Sequence, residues 1–512
     1  MRLGLPCLRL ARIALQTKAP LSIGLGKSDG IFDNLLVRDA NDLPAIPGSS
    51  LAGCLRHLFL EATDEETTNH LFGFTGQKGD GTTGKQPSEG GTSRLQVSWG
   101  AIHDSLDRPS DQVLMEEEAR KVLDSDPLLR DAMEGVPLMR RRVCINHGGT
   151  AEDQAQFERV CLRKGHRFTV EIALWSATLE MPEWDQLFNL MKSPFFRLGG
   201  GTRSGLGSMK VVRIHQKALD LSRPEDFKQM SSLSMNMGDV KGWDRVGKPE
   251  GINTLSVQLK LRAQDLFRIG QGEASLRDDF ENPQAVPDLL PLNESEVVWH
   301  QQGDQGDGER GSLSESRVVI PATGVKGALR HRVAFHYNAL TGCFAGESPV
   351  VPPEENEAVR ALFGHKVEPE QDPNGQTRPN TAGADQEKKP PKWIAGRVFF
   401  NDMVVKELKK PPVTVWHNVI DRFTGGVRQG FLFGEEAVSH DQELELNLHF
   451  TRLEDEVLKD KPLIKEALNR ALKDMISGNL ALGAGSSRGH GTFSGTMTWS
   501  DNSRWIEGGK RD

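Results

Sequence analysis

IPGSSLAGCLRH at residues 46–57 and IPATGVKGALRH at residues 320–331 are two versions of one element, and the rest of the chain reads outward from that pair. Each starts with Ile-Pro, continues through small or hydroxyl residues, and then places apolar side chains at helical spacing. In the first copy Ser49 or Ser50 is the expected N-cap, with Leu51, Leu55, Leu58 and Phe59 on one face. In the second, Thr323 is the expected cap, with Val325, Leu329 and Val333 turned inward.

Other strings recur in the same order on both sides of the pair. The strand-like CLRLARIALQT leads into LSIGLG at 21–26, while the alternating LSVQLKLR at 255–262 leads into LFRIGQG at 266–272. LFG at 71–73 returns at 362–364, and SRLQVSWGAI at 93–102 returns as AGRVFFNDMV at 395–404. RLGGGTRSGLGSMKV at 197–211 matches ALGAGSSRGHGTFSG at 481–495. Unrelated glycine loops explain one such match but not an ordered series, so the chain holds two copies of one module. The expected division is a first module at 1–215, a linker at 216–250, a second module at 251–500 and a short tail at 501–512.

Within a module the order is strand, glycine turn, helix, strand, strand-rich insertion, helix, glycine-rich turn and strand. Interleaved strands with two helices over one sheet face imply an α+β fold: two tandem ferredoxin-like or RRM-like modules with thumb-like insertions. LIKEALNRALKDMI at 463–476 is the helix before the second glycine-rich turn. The long polar stretches 76–91, 301–316 and 365–392 read as mobile loops.

Composition is that of a globular chain, 37% hydrophobic and 26% charged, without an apolar run near the roughly 20 residues that span a bilayer. Arg9 and Arg12 interrupt what would be the apolar part of a signal peptide, so a cytoplasmic location without membrane contact is expected. The five cysteines form no CxxC pair, which argues against a disulfide framework or a cysteine zinc site. His147, His166, His300, His331, His417 and His490 show no ligand spacing. The net charge of −8 neither supports nor excludes a nucleic-acid partner, because acidic inserts mask a local basic stripe.

Gly26-Lys27-Ser28 looks like the end of a phosphate-binding P-loop, but Leu21 stands where that motif needs its first glycine. The recurring glycine-rich turns are more specific. Gly199, Gly200 and Gly201 in one, and Gly483 and Gly485 in the other, allow close approach of backbone amides to an anion. Arg203 and Arg488 add charge inside those turns. The helix starts offer a second anion site through amides, Ser49, Ser50 and Thr323 hydroxyls and the dipole, with Arg56, Lys326 and Arg330 in reach. With aromatics at 6% and a single tyrosine, base stacking is not expected to dominate.

Taken together, LSIGLG, FDNLLVRDANDLPAIPGSSLAGCLRHLF, LFG, SRLQVS, RRRVCINHGGTAEDQAQFERV and LGGGTRSGLG resemble the RAMP superfamily. The resemblance is to the backbone subunits of type III CRISPR complexes, and two fused modules are similar to the double subunits of III-D-like systems. VIDRFTGGVRQGFLFGEE at 419–436 looks like the thumb of the second module.

The resemblance implies partners: a CRISPR guide RNA, a target RNA and the other subunits of an effector complex. It implies that thumbs wedge into the guide–target duplex, and that Asp33 is a catalytic and metal-binding carboxylate in Mg²⁺-dependent cleavage by 2′-hydroxyl attack. The corresponding acid of the second module is expected to be Asp288, with Asp278 and Asp279 as alternatives, in a loop that also holds Asp304 and Asp307. Competing readings are a non-catalytic guide-RNA scaffold, a guide-precursor-processing endoribonuclease, and an unrelated RRM-type RNA binder.

Overall fold

The computed structural model describes residues 4–26, 35–76, 90–114, 117–133, 138–146, 150–247, 254–270, 272–277, 286–301, 309–344, 355–367, 392–439, 442–452, 458 and 460–500. The chain forms two compact units. One comprises Met1–Cys144, Glu152–Asn253 and Asn293–Val318; the other comprises Ile145–Ala151, Thr254–Leu292 and Val319–Asp512.

The elements of the first repeat are β1 (Cys7–Thr17), α1 (Gly48–Ala62), α2 (Glu65–Phe72), β2 (Leu95–Val97), β3 (Leu138–Ile145), β4 (Ala151–Cys161), β5 (Arg167–Ser176), α3 (Pro182–Leu190) and β6 (Met209–Asp220). Its sheet runs β2–β5–β1–β6, with every neighbour antiparallel. The first strand is central, between the third and fourth strands of the sheet, and the second lies beyond the third. That is the ferredoxin-like order.

Alternation along β1 decides which face is covered. Ala11, Ile13 and Leu15 are buried with Phe168, Val170, Ile172 and Ile214 against Leu51, Leu55 and Phe59 of α1 and Trp184, Leu187 and Phe188 of α3. Each of the larger of these side chains contributes about 1.5–3 kcal/mol by leaving water.

The second repeat has β7 (Ser256–Ala263), α4 (Ala322–Leu340), α5 (Glu357–Phe363), β8 (Val398–Phe400), β9 (Val413–His417), β10 (Phe433–Ala437), β11 (Glu443–Phe450), α6 (Pro462–Ile476) and β12 (Phe493–Trp499). Its sheet order, β8–β11–β7–β12, is the same and again antiparallel throughout. Val257, Leu259 and Leu261 of β7 are buried, as are Leu329 and Val333 of α4 and Ile464, Leu468 and Leu472 of α6.

The repeats agree bond by bond. The Arg94 amide donates to the Leu71 carbonyl at 3.1 Å, and the Arg397 amide to the Leu362 carbonyl at 2.8 Å. Gly73 and Gly364, the glycines of the two LFG strings, both have positive φ (76° and 85°). A Cβ on either would come within 2.6 Å of backbone atoms, so glycine is required at both.

Two stretches differ from their sequence reading. Residues 216–247 are built into the first unit: β6 runs to Asp220, Pro224–Ser231 is helical, and Asp244–Arg245 pairs with β6. One cation holds the loop at 234–239. Arg12, 5% exposed on β1, donates to the carbonyls of Ser234 (2.6 Å), Asn236 (2.7 Å) and Asp239 (2.6 Å) and to Glu171 (2.8 Å). Met230, Leu233 and Trp243 cover Leu8, Leu10 and Trp175 on the sheet face away from the helices.

The insert read as a loop at 301–316 forms a hairpin of Val297–Gln301 with Glu309–Leu313. It docks on the first unit through the Val297 amide to Lys164 (2.8 Å), Trp299 Nε1 to Gly165 (2.9 Å) and the Gly311 amide to Ser105 (2.8 Å). Arg167 lies over the Trp299 ring at 4.2 Å. Asp304 and Asp307, and nearly all of 76–91 and 365–392, fall outside the described residues.

Candidate functional site

The glycine-rich turns are copies of one backbone structure. Gly199, Gly201, Gly205 and Gly207 have positive φ, and so do Gly483, Gly485, Gly489 and Gly491. Each turn wraps a short 3-10 helix, Thr202–Ser204 or Ser486–Arg488. The Gly200 amide donates to Ser22 (2.8 Å) and the Ala484 amide to Arg268 (2.9 Å). The Leu198 and Leu482 amides reach the Gly207 and Gly491 carbonyls, each at 2.8 Å.

Amides bonded inside the turn are not available to a ligand. Gly200, Ser204, Leu206 and Gly207 use theirs on Ser22, Gly201, Gly201 and Pro20. These four amides are therefore not open to the anion contact expected of the turn.

The two turn arginines are not equivalent. The shared frame matches Arg203 with Ser487 and Ser204 with Arg488. Arg488 donates to Glu435 at 3.0 Å. Glu435 is wholly buried and also accepts from Arg268 Nε (2.8 Å) and bonds His417 Nε2 (3.1 Å). Burial alone would raise this carboxyl, but Arg268, His417 and Arg488 hold it below the usual glutamate range.

At the helix starts the expected caps are corrected. Pro47 and Pro321 occupy the N-cap positions, and neither makes a side-chain cap bond. Ser49, Ser50 and Thr323 lie one or two residues inside the helices, because the extended backbone of each proline ends the preceding segment. The Ala322 amide is instead satisfied by Asp402 Oδ1 at 2.8 Å. Gly48 lets α1 start against β2: a Cβ there would collide with the Val97 carbonyl. Arg56 donates to Asn69 Oδ1 at 2.6 Å, tying α1 to α2, and Lys326 and Arg330 are engaged within the fold.

Both thumb-like insertions are antiparallel hairpins, β3–β4 and β9–β10. Between β9 and β10 the chain turns at Asp421, whose carboxylate accepts from the Phe423 (3.0 Å) and Thr424 (2.8 Å) amides. This tip presents apolar residues to solvent, Phe423 being 89% exposed and Leu432 66%. Patches of that kind mark contact surfaces.

Asp33, Asp278 and Asp279 lie outside the described residues. Asp288 is exposed, and its Oδ2 accepts from the Gly434 amide at 2.8 Å, next to Glu435. Among the described residues no group of three or more His, Cys, Asp or Glu side chains is placed to hold a metal ion. Sequence reasoning passed over Arg142, Arg159, Arg268, His417 and Glu435 at the thumb bases. The two thumbs share no string long enough to single them out, and the register that matches Arg159 with Glu435 comes from the Leu21–Leu162 and Phe267–Val438 bridges.

A family model described as the RAMP superfamily matches residues 14–210 and 296–494, well over half the chain, and the chain belongs to that superfamily. The two matched stretches correspond to the two repeats. Among solved structures, the chain is similar to one described as the cryo-EM structure of the Type III-B Cmr-beta bound to cognate target RNA. That similarity has 14% identity and a TM-score of 0.27, and covers 42% of this chain and 61% of the other. No curated protein matches. Among the described residues, no helix is long and apolar enough to cross a membrane.

Proposed function

We propose that the chain is a double backbone subunit of a type III CRISPR effector complex, holding guide RNA and cutting the paired target RNA. The observation that carries this reading is the duplicated glycine-rich turn, whose backbone hydrogen bonds recur beside a thumb hairpin in each repeat. A repeated site on one chain suits a polymer with a repeated phosphate backbone. The exposed Phe423 tip suits a wedge between stacked bases.

For the chemistry, the Asp33 carboxylate accepts the proton of a target 2′-hydroxyl. The freed oxygen attacks the adjacent phosphorus as the bond to the 5′ oxygen breaks, and that oxygen takes a proton from water, leaving a cyclic phosphate and a 5′-hydroxyl. Asp33 is the proposed protein ligand of Mg²⁺, and the Mg²⁺ dependence is tested by chelation.

The deciding experiment uses the assembled complex with a labelled target RNA. Asp33→Ala is expected to abolish one cleavage product with target binding unchanged. A deoxyribose upstream of that cut is expected to block the same product. Undiminished cutting by the Asp33→Ala complex would make the first repeat a scaffold.

A further inference from the structure

The two repeats carry opposite charge at one shared position. Leu21 and Leu162 exchange backbone hydrogen bonds of 2.9 and 2.7 Å, and Phe267 and Val438 exchange the matching pair at 2.9 Å. Counted back along the thumb strands from Leu162 and Val438, Phe157 corresponds to Phe433 and Arg159 to Glu435. Side-chain geometry confirms the frame. Arg142 lies over the Phe157 ring at 5.1 Å, and the His417 ring stacks on Phe433 at 5.0 Å. The thumb base therefore holds Arg142 and Arg159 in one repeat, and His417 and Glu435 in the other.

In the second repeat the two arginines at the turn share one carboxylate, since Arg268 and Arg488 both pair with Glu435. In the first, no carboxylate among the described residues pairs with Arg142 or Arg159. The Arg159 guanidinium lies directly against Gly200, so close that a Cβ there would overlap Nη1. Ser22, whose carbonyl accepts the Gly200 amide, has a fully buried hydroxyl without a hydrogen-bond partner. Desolvation, and then the charge of Arg159, hold Arg142 below the usual arginine range. Two like charges that act on one another repel in an empty site and are relieved around an anion.

We propose that Arg142, Arg159, Ser22 and the Gly199–Gly201 turn form the principal phosphate seat of the chain, and that Glu435 makes the matching seat of the second repeat a weak one. The inference rests on the RNA-binding reading above. It goes further by making the repeats unequal: the guide is gripped by charge at the first and mainly by shape at the second.

The test is fluorescence anisotropy of the full chain with a labelled single-stranded RNA of mixed sequence, across a series of KCl concentrations. Arg142→Ala and Arg159→Ala are each expected to weaken binding about tenfold. Each should also flatten the slope of log affinity against log salt by about 0.7, one phosphate contact on a single strand. Arg488→Ala is expected to cost clearly less than either. Glu435→Gln keeps an acceptor for its partners while removing the charge, and is expected to tighten binding and steepen the slope. Melting curves of every variant separate loss of fold from loss of binding, and Arg159→Lys, which keeps the charge, is expected to restore most of the slope. Wild-type affinity and slope in folded Arg142→Ala and Arg159→Ala proteins would overturn the seat and leave the RNA-binding reading standing. An Arg488→Ala loss equal to that of Arg159→Ala would overturn the inequality. A wild-type chain that does not bind the RNA would overturn the RNA-binding reading together with the seat.

Discussion

Gly199 and Gly483 occupy one position of the two repeats, and each lies against a backbone carbonyl, of Ser22 in one case and Arg268 in the other. Both have positive φ, 78° and 89°, where a side chain is strained whatever the space. Gly199→Ala and Gly483→Ala are each expected to destabilise the protein by about 2–3 kcal/mol, from strain and collision together. Gly53, inside α1, is the opposite case, since a methyl group added there would meet nothing within 4 Å. Gly53→Ala is expected to stabilise by about 0.5–1 kcal/mol. Urea midpoints of the three variants provide the check.

Arg12 organises the segment that follows β6. Arg12→Ala removes three bonds to carbonyls and the pairing with Glu171 in a buried setting. The expected loss is about 3–5 kcal/mol, the range for breaking a buried charge network. Hydrogen exchange is expected to rise at 232–243 well before the central strands β1 and β5 respond. Uniform exchange across the unit would mean that Arg12 supports the whole sheet rather than this segment.

How much of this was legible in the sequence depends on the kind of information involved. β7 was readable over nearly all of Ser256–Ala263, and α6 over nearly all of its length, because burial imposes period two or 3.6 on the residues themselves. The turns were readable because glycine is the only residue that fits four left-handed positions, so the pattern survives duplication. The order of 234–239 was not, since it comes from carbonyls, which carry no side-chain signature, bonding to an arginine far away in sequence. The helix caps were misread because proline at Pro47 and Pro321 fixes the start that a hydroxyl residue would otherwise fix. The exchange of Arg159 for Glu435 was hidden because the thumbs share almost no string, and only the Leu21–Leu162 and Phe267–Val438 bonds set them in register.

Acid sensitivity follows from His103. Its ring is wholly buried, bonded to Asp107 at 2.7 Å and to the Thr169 hydroxyl at 2.7 Å. Desolvation carries its pKa below the ordinary 6.5 despite Asp107. The unfolded chain therefore takes up the proton first, so this contribution is complete above about pH 6.5 and is lost as pH falls below it. Asp107 is displaced downward by His103 and Arg213 against the effect of burial, so its contribution persists until the pH passes below the ordinary carboxylate value of 3.8. Stability is expected to decline between pH 7 and 5 by up to about 1.4 kcal/mol per pH unit for this one proton. His103→Gln is expected to show a shallower decline in the same interval. An equal slope in wild type and variant would assign the effect to His215, whose pKa is also lowered, by desolvation and then Arg213.

Asp288 provides the sharpest separation of structure from chemistry in the second repeat. Its Oδ2 accepts from the Gly434 amide, so part of its role is to fix the base of β10 beside Glu435. Asp288→Ala removes that acceptor and is expected to cost about 0.5–1.5 kcal/mol, an ordinary hydrogen bond. Asp288→Asn keeps an oxygen that accepts from the same amide, and is expected to recover most of that loss. A carboxylate that takes a proton from a 2′-hydroxyl cannot be replaced by an amide, because the amide is not a base at neutral pH. The pair of variants therefore divides the two roles. If Asp288 cuts, both variants lose one target-RNA product that Asp33→Ala does not remove, while only Asp288→Ala loses stability. If Asp288 is structural, Asp288→Asn keeps every product and the stability of the wild type. Measuring products on a guide-loaded complex and urea midpoints on the same preparations decides between them.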